Sequence, residues 1–142
     1  MKKWLLPVAM FAMFGLGFQS NSEAAPVKVK SLYKIVKGKA DLKKGKAGKV
    51  GFQIVLQKNA TKVHPQAPFK CKVSASAGIA LAKKKLGHDD KKISKDKKQV
   101  DVAIGVTASK AGNVVMDCSF FVCTKDICAR TEEQVKIAAK VK

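Results

Sequence analysis

The strongest constraint on this chain is a period of two. Phe52, Ile54 and Leu56 alternate with Gln53, Val55 and Gln57; Phe69, Cys71, Val73 and Ala75 alternate with Lys70, Lys72, Ser74 and Ser76. Val100, Val102, Ile104 and Val106 form a third such run, Met116, Cys118, Phe120 and Val122 a fourth, and Val135, Ile137, Ala139 and Val141 a fifth. Successive side chains of a strand point to opposite faces, so this spacing predicts half-buried antiparallel strands. A further strand is expected between Val27 and Val36. Arg130 to Lys142 carries Glu132, Glu133 and alanines that suit a helix, but its alternation favours a strand.

Turn chemistry separates the runs. Gly38 to Gly48 is rich in Lys and Gly and reads as a loop; His64-Pro65-Gln66-Ala67-Pro68 holds two prolines, which break a strand ladder. Lys83 to Lys98 reads as a polar connector and Lys110-Ala111-Gly112-Asn113 as a tight turn. Six or seven short strands with polar turns predict an all-β antiparallel sandwich.

The first two dozen residues are of another kind. Lys2 and Lys3 precede an apolar stretch from Trp4 to Phe18, followed by a polar patch and then Ala24-Ala25. This is the layout of a secretory signal peptide. Cleavage after Ala24 places Ser22 and Ala24 at the two positions that need small side chains. The apolar stretch is shorter than the roughly 20 residues a spanning helix requires. The expected organisation is therefore a signal peptide over 1–24 and one β domain over 25–142, with no transmembrane segment after cleavage. The mature chain is expected in the periplasm or secreted.

Export bears on the four cysteines, Cys71, Cys118, Cys123 and Cys128. An even number in a small exported chain reads as disulfides. Cys71 and Cys118 fall on the apolar faces of their strands, whereas Cys123 falls on the opposite face from Cys118. Parity therefore selects a buried Cys71–Cys118 bridge and a Cys123–Cys128 bridge that closes a hairpin around Thr124-Lys125-Asp126-Ile127.

Removing residues 1–24 takes away Lys2, Lys3 and Glu23 and leaves 27 basic against 9 acidic residues, a net +18. Arg130 is the sole arginine. Lysine is a hydrated point charge without the bidentate fork that reads bases and phosphates. The mature part has no Trp, and Tyr33 and four Phe are its aromatic residues, so stacking platforms for nucleic acid are scarce. Specific nucleic-acid recognition is not expected. The lysines read first as a solvated surface coat; the sharper alternative is attraction to anionic envelope polymers or lipid headgroups, held non-specifically and released by salt. His64 and His88 lie in separate loops, and neither Asp89-Asp90 nor Glu132-Glu133 can converge on one strand face. No pattern calls for a metal, a cofactor or a catalytic constellation.

The segment "VHPQAPFKCKVSASAGIAL", followed by "AKKKLG", "DDKK", "KKQVDVAIGVTASKAG" and "SFFVCTKDICAR", resembles the immunoglobulin-like domain at the periplasmic N-terminus of thiol:disulfide interchange proteins, and similar stand-alone exported domains. The resemblance covers roughly residues 49–141. It implies an immunoglobulin-like sandwich. In redox-active members two close cysteines exchange electrons with periplasmic thioredoxin-like partners, and the matching positions here are Cys123 and Cys128. The chain departs from that pattern in three ways. Four residues separate the pair where the redox-active proteins have a longer gap, no aromatic cap is evident, and Cys71 and Cys118 are additional. These differences favour a structural bridge. The expected function is thus a disulfide-stabilised, basic binding or structural domain of a bacterial-type envelope, with thiol:disulfide exchange at Cys123 and Cys128 as the alternative.

N-terminal sequencing of the protein recovered from its producing cell should read from Ala25. An intact Met1 on correctly fractionated protein would overturn the signal-peptide reading.

Overall fold

The computed structural model describes residues 29–142; the expected signal peptide and its cleavage point lie outside the described residues. A single 3-10 turn, Val29–Ser31, leads into β1 (Tyr33–Lys37). Then follow β2 (Ala40–Leu42), β3 (Ala47–Leu56), β4 (Lys70–Ala75), β5 (Ile79–Leu81) and β6 (Lys85–Leu86). A second 3-10 turn at His88–Asp90 precedes β7 (Lys91–Ile93), β8 (Gln99–Ala108), β9 (Gly112–Cys123) and β10 (Cys128–Val141).

The strands form two sheets. One has the order β1-β3-β8-β5, with β7 also paired to β8; the other has the order β2-β10-β9-β4-β6. All neighbours are antiparallel except β2, which runs parallel to β10. With β3, β8 and β5/β7 standing as strands B, E and D beside β1, and β4, β9 and β10 as C, F and G, this is the immunoglobulin arrangement.

The alternating runs make the core. Val50, Phe52 and Ile54 of β3 and Val100, Val102, Ile104 and Val106 of β8 face Cys71, Val73, Val114, Met116, Cys118, Phe120 and Val122 of the other sheet, all buried. Val135, Ile137 and Ala139 of β10 join them. Burying such a face removes apolar area from water at about 25 cal/mol per Å², and a register slip of one residue would turn it outward.

Six of these strands, β1, β3, β4, β8, β9 and β10, correspond to the six runs legible in the sequence, but the first is shorter than expected, because a 3-10 turn takes Val29–Ser31 and β1 begins at Tyr33. The other four are two or three residues long; β2, β6 and β7 lie in stretches that read as loops, and β5 in a stretch to which the sequence assigns no element. Within Gly38–Gly48, Ala40 and Leu42 turn inward on β2 while Asp41 stays exposed. The Lys83–Lys98 connector carries β6, the second 3-10 turn and β7. Two or three residues are too few to display an alternation, so only their partners on β10, β4 and β8 define them.

One polar contact crosses the core. Tyr33 at the start of β1 is buried, packs edge-on against Phe120 at 5.2 Å between ring centroids, and donates its hydroxyl to Glu133. Thr131, also buried, sits 3.0 Å from the same hydroxyl. Desolvation, reinforced by the hydrogen bond to Glu133, pushes the Tyr33 phenol up to about 12.

A phenol whose folded pKa exceeds its unfolded value favours the folded state below the unfolded pKa, and the benefit is lost as pH rises through the folded one. Tyr33 should therefore contribute stability that is intact below about pH 10 and disappears as pH approaches about 12. In urea titrations the Tyr33→Phe protein should be less stable than the parent at pH 8, and the gap should close towards pH 12. A gap that persists unchanged would show that the hydroxyl is not held as described.

Candidate functional site

The chemistry-bearing residues gather on the outer face of the β2-β10-β9-β4-β6 sheet and at one of its ends. β9 and β10 form an unbroken ladder in which Cys123 is the direct partner of Cys128, Phe121 of Arg130, Ser119 of Glu132 and Asp117 of Gln134. On the other side of β9, Cys71 is the direct partner of Cys118. The structure bonds Cys71 to Cys118 and Cys123 to Cys128, leaving no free cysteine among the described residues.

The two bridges occupy different environments. Cys71 and Cys118 are buried between the sheets. Cys123 is half-buried and Cys128 exposed, both on the outward face at the hairpin end. Thr124 shapes the loop between them: its amide bonds to the Ile127 carbonyl at 2.7 Å, and its hydroxyl accepts from the amides of Asp126 and Ile127. A threonine hydroxyl that mimics a turn in this way is a common loop device. Ile127 is left 44% exposed at the tip.

The loop after β3 is fastened to this hairpin. The amide and hydroxyl of Thr61 both donate to the Cys123 carbonyl, at 2.8 and 3.0 Å. The Val63 amide bonds to the Lys97 carbonyl, and the Lys98 ammonium to the Ala60 carbonyl. Lys91 completes the anchoring: its ammonium donates to the Ala67 carbonyl and lies 5.8 Å from the Phe69 ring centre. Burial there lowers the Lys91 pKa below its ordinary value.

The charged neighbours of the hairpin bridge do not converge on it. The Arg130 guanidinium runs back along the sheet, donating to Ser119 at 2.8 Å and to Glu132 at 2.9 Å. No side chain among the described residues makes a hydrogen bond to the sulfur of Cys123 or Cys128. His64 is exposed and accepts from the Gln66 amide, while His88 sits in the second 3-10 turn. No three His, Cys, Asp or Glu residues among those described gather as a metal site would require.

Beyond Phe121 and Arg130 the outer face hollows into an open groove of about 860 Å³. Lys70, Lys72 and Lys85 form one wall. Its carboxylates are already engaged: Asp117 accepts from Gln134 at 2.8 Å and lies opposite Lys72, while Glu132 pairs with Arg130. Four basic side chains, Lys70, Lys72, Lys85 and Arg130, thus face three acidic ones, Asp117, Glu132 and Glu133, and most of the groove's charge is offset. It was not legible in the sequence, because it needs β4 and β6 beside β9.

No family model matches the chain, and no curated protein does. Among solved structures, the chain is similar to AggA, the major subunit of aggregative adherence fimbriae type I from Escherichia coli. That match has 9% identity, spans 78% of this chain and 94% of that one, and has a TM-score of 0.40. It is also similar to PapD-like domain 7 of human CEP192, with 6% identity over 77% of this chain and 87% of that one and a TM-score of 0.27.

The loop-entropy relation separates the two bridges. A bond across 47 residues constrains the unfolded chain by about 4 kcal/mol, and one across 5 residues by about 2 kcal/mol. In denaturant titrations, Cys71→Ser with Cys118→Ser should therefore cost at least twice the stability lost by Cys123→Ser with Cys128→Ser. The core pair also leaves two hydroxyls buried. Equal losses would contradict this division of roles.

Proposed function

We propose that this chain is an exported immunoglobulin-like domain with a binding or structural role in a bacterial-type envelope, and that both disulfides serve the fold. The observation that carries this reading is the placing of Cys123 opposite Cys128 at the end of a ladder of twelve register pairs. A bond there locks a hairpin that the ladder already specifies. Its sulfurs have no hydrogen-bonded base to generate or hold a thiolate, and the one arginine nearby is committed to Ser119 and Glu132. Export rests on the residues of the N-terminus: positive, apolar, polar, then small. No helix among the described residues is long and apolar enough to cross a membrane.

A second reading is favoured by the exposure of Cys128. A thioredoxin-like partner could bring its thiolate to that sulfur. Attack would form a mixed disulfide and release Cys123 as the thiolate, and a second partner thiol would resolve it, leaving Cys123 and Cys128 reduced and the partner oxidised.

The reduction potential of the hairpin bridge decides between them. Structural disulfides of exported proteins lie below about −300 mV, and exchange-active pairs between about −120 and −270 mV. The expected value for Cys123–Cys128 in the mature protein is in the structural range. A value in the upper range, or a mixed disulfide with a thioredoxin-like protein trapped by Cys123→Ser or Cys128→Ser, would make the domain an electron carrier instead.

A further inference from the structure

The lysines are not spread evenly once the chain is folded. On the side of the molecule where β2 lies along the end of β10 there is a second groove, of about 510 Å³. Lys37 at the end of β1 and Lys39 in the β1–β2 connection line it on one side, and Lys136 and Lys140 on the outward face of β10 on the other. Apart from Asp41, its remaining lining offers little side chain: Gly38, Ala40 and Ala138 are small, and Ile137 is buried. The one carboxylate in it, Asp41, is the register partner of Lys140. None of the four ammonium groups forms a hydrogen bond or ion pair among the described residues.

The cationic surface continues past the groove. The β2–β3 turn carries Lys43, Lys44 and Lys46, and it is fixed in place: the Lys44 amide bonds to the Lys142 carbonyl and the Gly45 amide to the Ala108 carbonyl. The latter bond brings the turn beside the β8–β9 turn, which carries Lys110. A track of unpaired lysines thus leads out of the groove and around one end of the sandwich, opposite the hairpin bridge.

We propose that this groove and track bind an extended polyanionic chain bearing one charge per repeat, threaded along β10 and out over the β2–β3 turn. The inference deepens the binding role proposed above by assigning it a place and a ligand chemistry. Concave walls of one sign focus the potential, so four ammonium groups around a hollow attract an anion more strongly than the same four on a flat surface. Lys136 and Lys140 are four residues apart on one strand face, about 13 Å, so they engage separate charges of one chain rather than a single anion. Lysine rather than arginine suits this, because a point charge follows a sliding chain without demanding bidentate geometry. A single chain enters the hollow, whereas a planar lipid surface would meet only its rim. The larger groove beside Phe121 has less of this character: three carboxylates offset its four basic side chains, whereas Asp41 alone faces the four lysines here.

The test uses the mature two-disulfide protein and three probes: long-chain inorganic polyphosphate, alginate, and vesicles containing phosphatidylglycerol. One variant carries Lys39→Glu, Lys136→Glu and Lys140→Glu. A charge-matched control carries Lys58→Glu, Lys62→Glu and Lys125→Glu, at the opposite end. All six positions are exposed, and thermal melts confirm that both variants fold. The groove variant should lose about tenfold or more in affinity for at least one polymer, while the control loses about twofold or less; with four contacts, wild-type affinity should fall roughly 50-fold between about 50 and 200 mM salt. Binding to polyphosphate alone or alginate alone identifies phosphate or carboxylate as the recognised group. Equal losses in the two variants would reduce the effect to net charge and overturn the proposal. So would binding to vesicles but to neither polymer, or no binding to either polymer at low salt. The protein with Cys123→Ser and Cys128→Ser should bind as the parent does, so a failure here is separate from any outcome at the hairpin bridge.

Discussion

The structure depends on the pairing of β9 with its two neighbours. Twelve register pairs join it to β10 and six join it to β4. That one alignment sets Cys118 opposite Cys71 inside and Cys123 opposite Cys128 outside. It also fixes which residues of β9 enter the core and which floor the outer groove. A slip of one residue would turn Met116 and Phe120 to solvent and carry both cysteine pairs out of register. The disulfides are thus consequences of the alignment as well as reinforcements of it, and the long Cys71–Cys118 loop accounts for most of their effect on the unfolded chain.

Around this strand the molecule has two distinct ends. At one, the loop after β3 is tied to the hairpin through Thr61 and to the β7–β8 turn through Val63 and Lys98, so the hairpin bridge sits on a braced platform with Ile127 at its tip. At the other, the short β2 runs parallel to β10 and the turns after β2 and β8 are joined through Gly45. Lysine is frequent at both. The acids near the hairpin end are partly engaged in local turns, Asp96 with Ser94 and the Lys98 amide for instance. At the β2 end Asp41 stands among lysines. The balance of charge therefore differs between the two ends.

The core is almost wholly apolar, and its exception is informative. Thr131 is the buried polar residue of the described chain, and with Tyr33 and Glu133 it forms a connected set in which no buried side-chain atom among those described lacks a partner. A half-satisfied group there would cost more than it contributes. The set holds the first strand of one sheet against the last strand of the other, the place where an open sandwich would otherwise have only van der Waals contact to align it.

Much of this was readable from residues in order. Strand identity is local: alternation at Phe52–Leu56, Phe69–Ala75 and Met116–Val122 follows from the pleat, and the same parity that puts Cys118 inward puts Cys123 outward. The hairpin around Thr124–Ile127 is likewise a short-range feature. The tertiary structure alone decided the rest, because it depends on which distant segments become neighbours. β2, β5, β6 and β7 exist only through their partners, being too short to carry a pattern of their own. Arg130, which in sequence stands near Cys128, is drawn away by Ser119 eleven residues back. The groove that unites Lys37 and Lys39 with Lys136 and Lys140 joins residues about a hundred positions apart, and it arises because β2, rather than pairing with β1 or β3, lies parallel along β10.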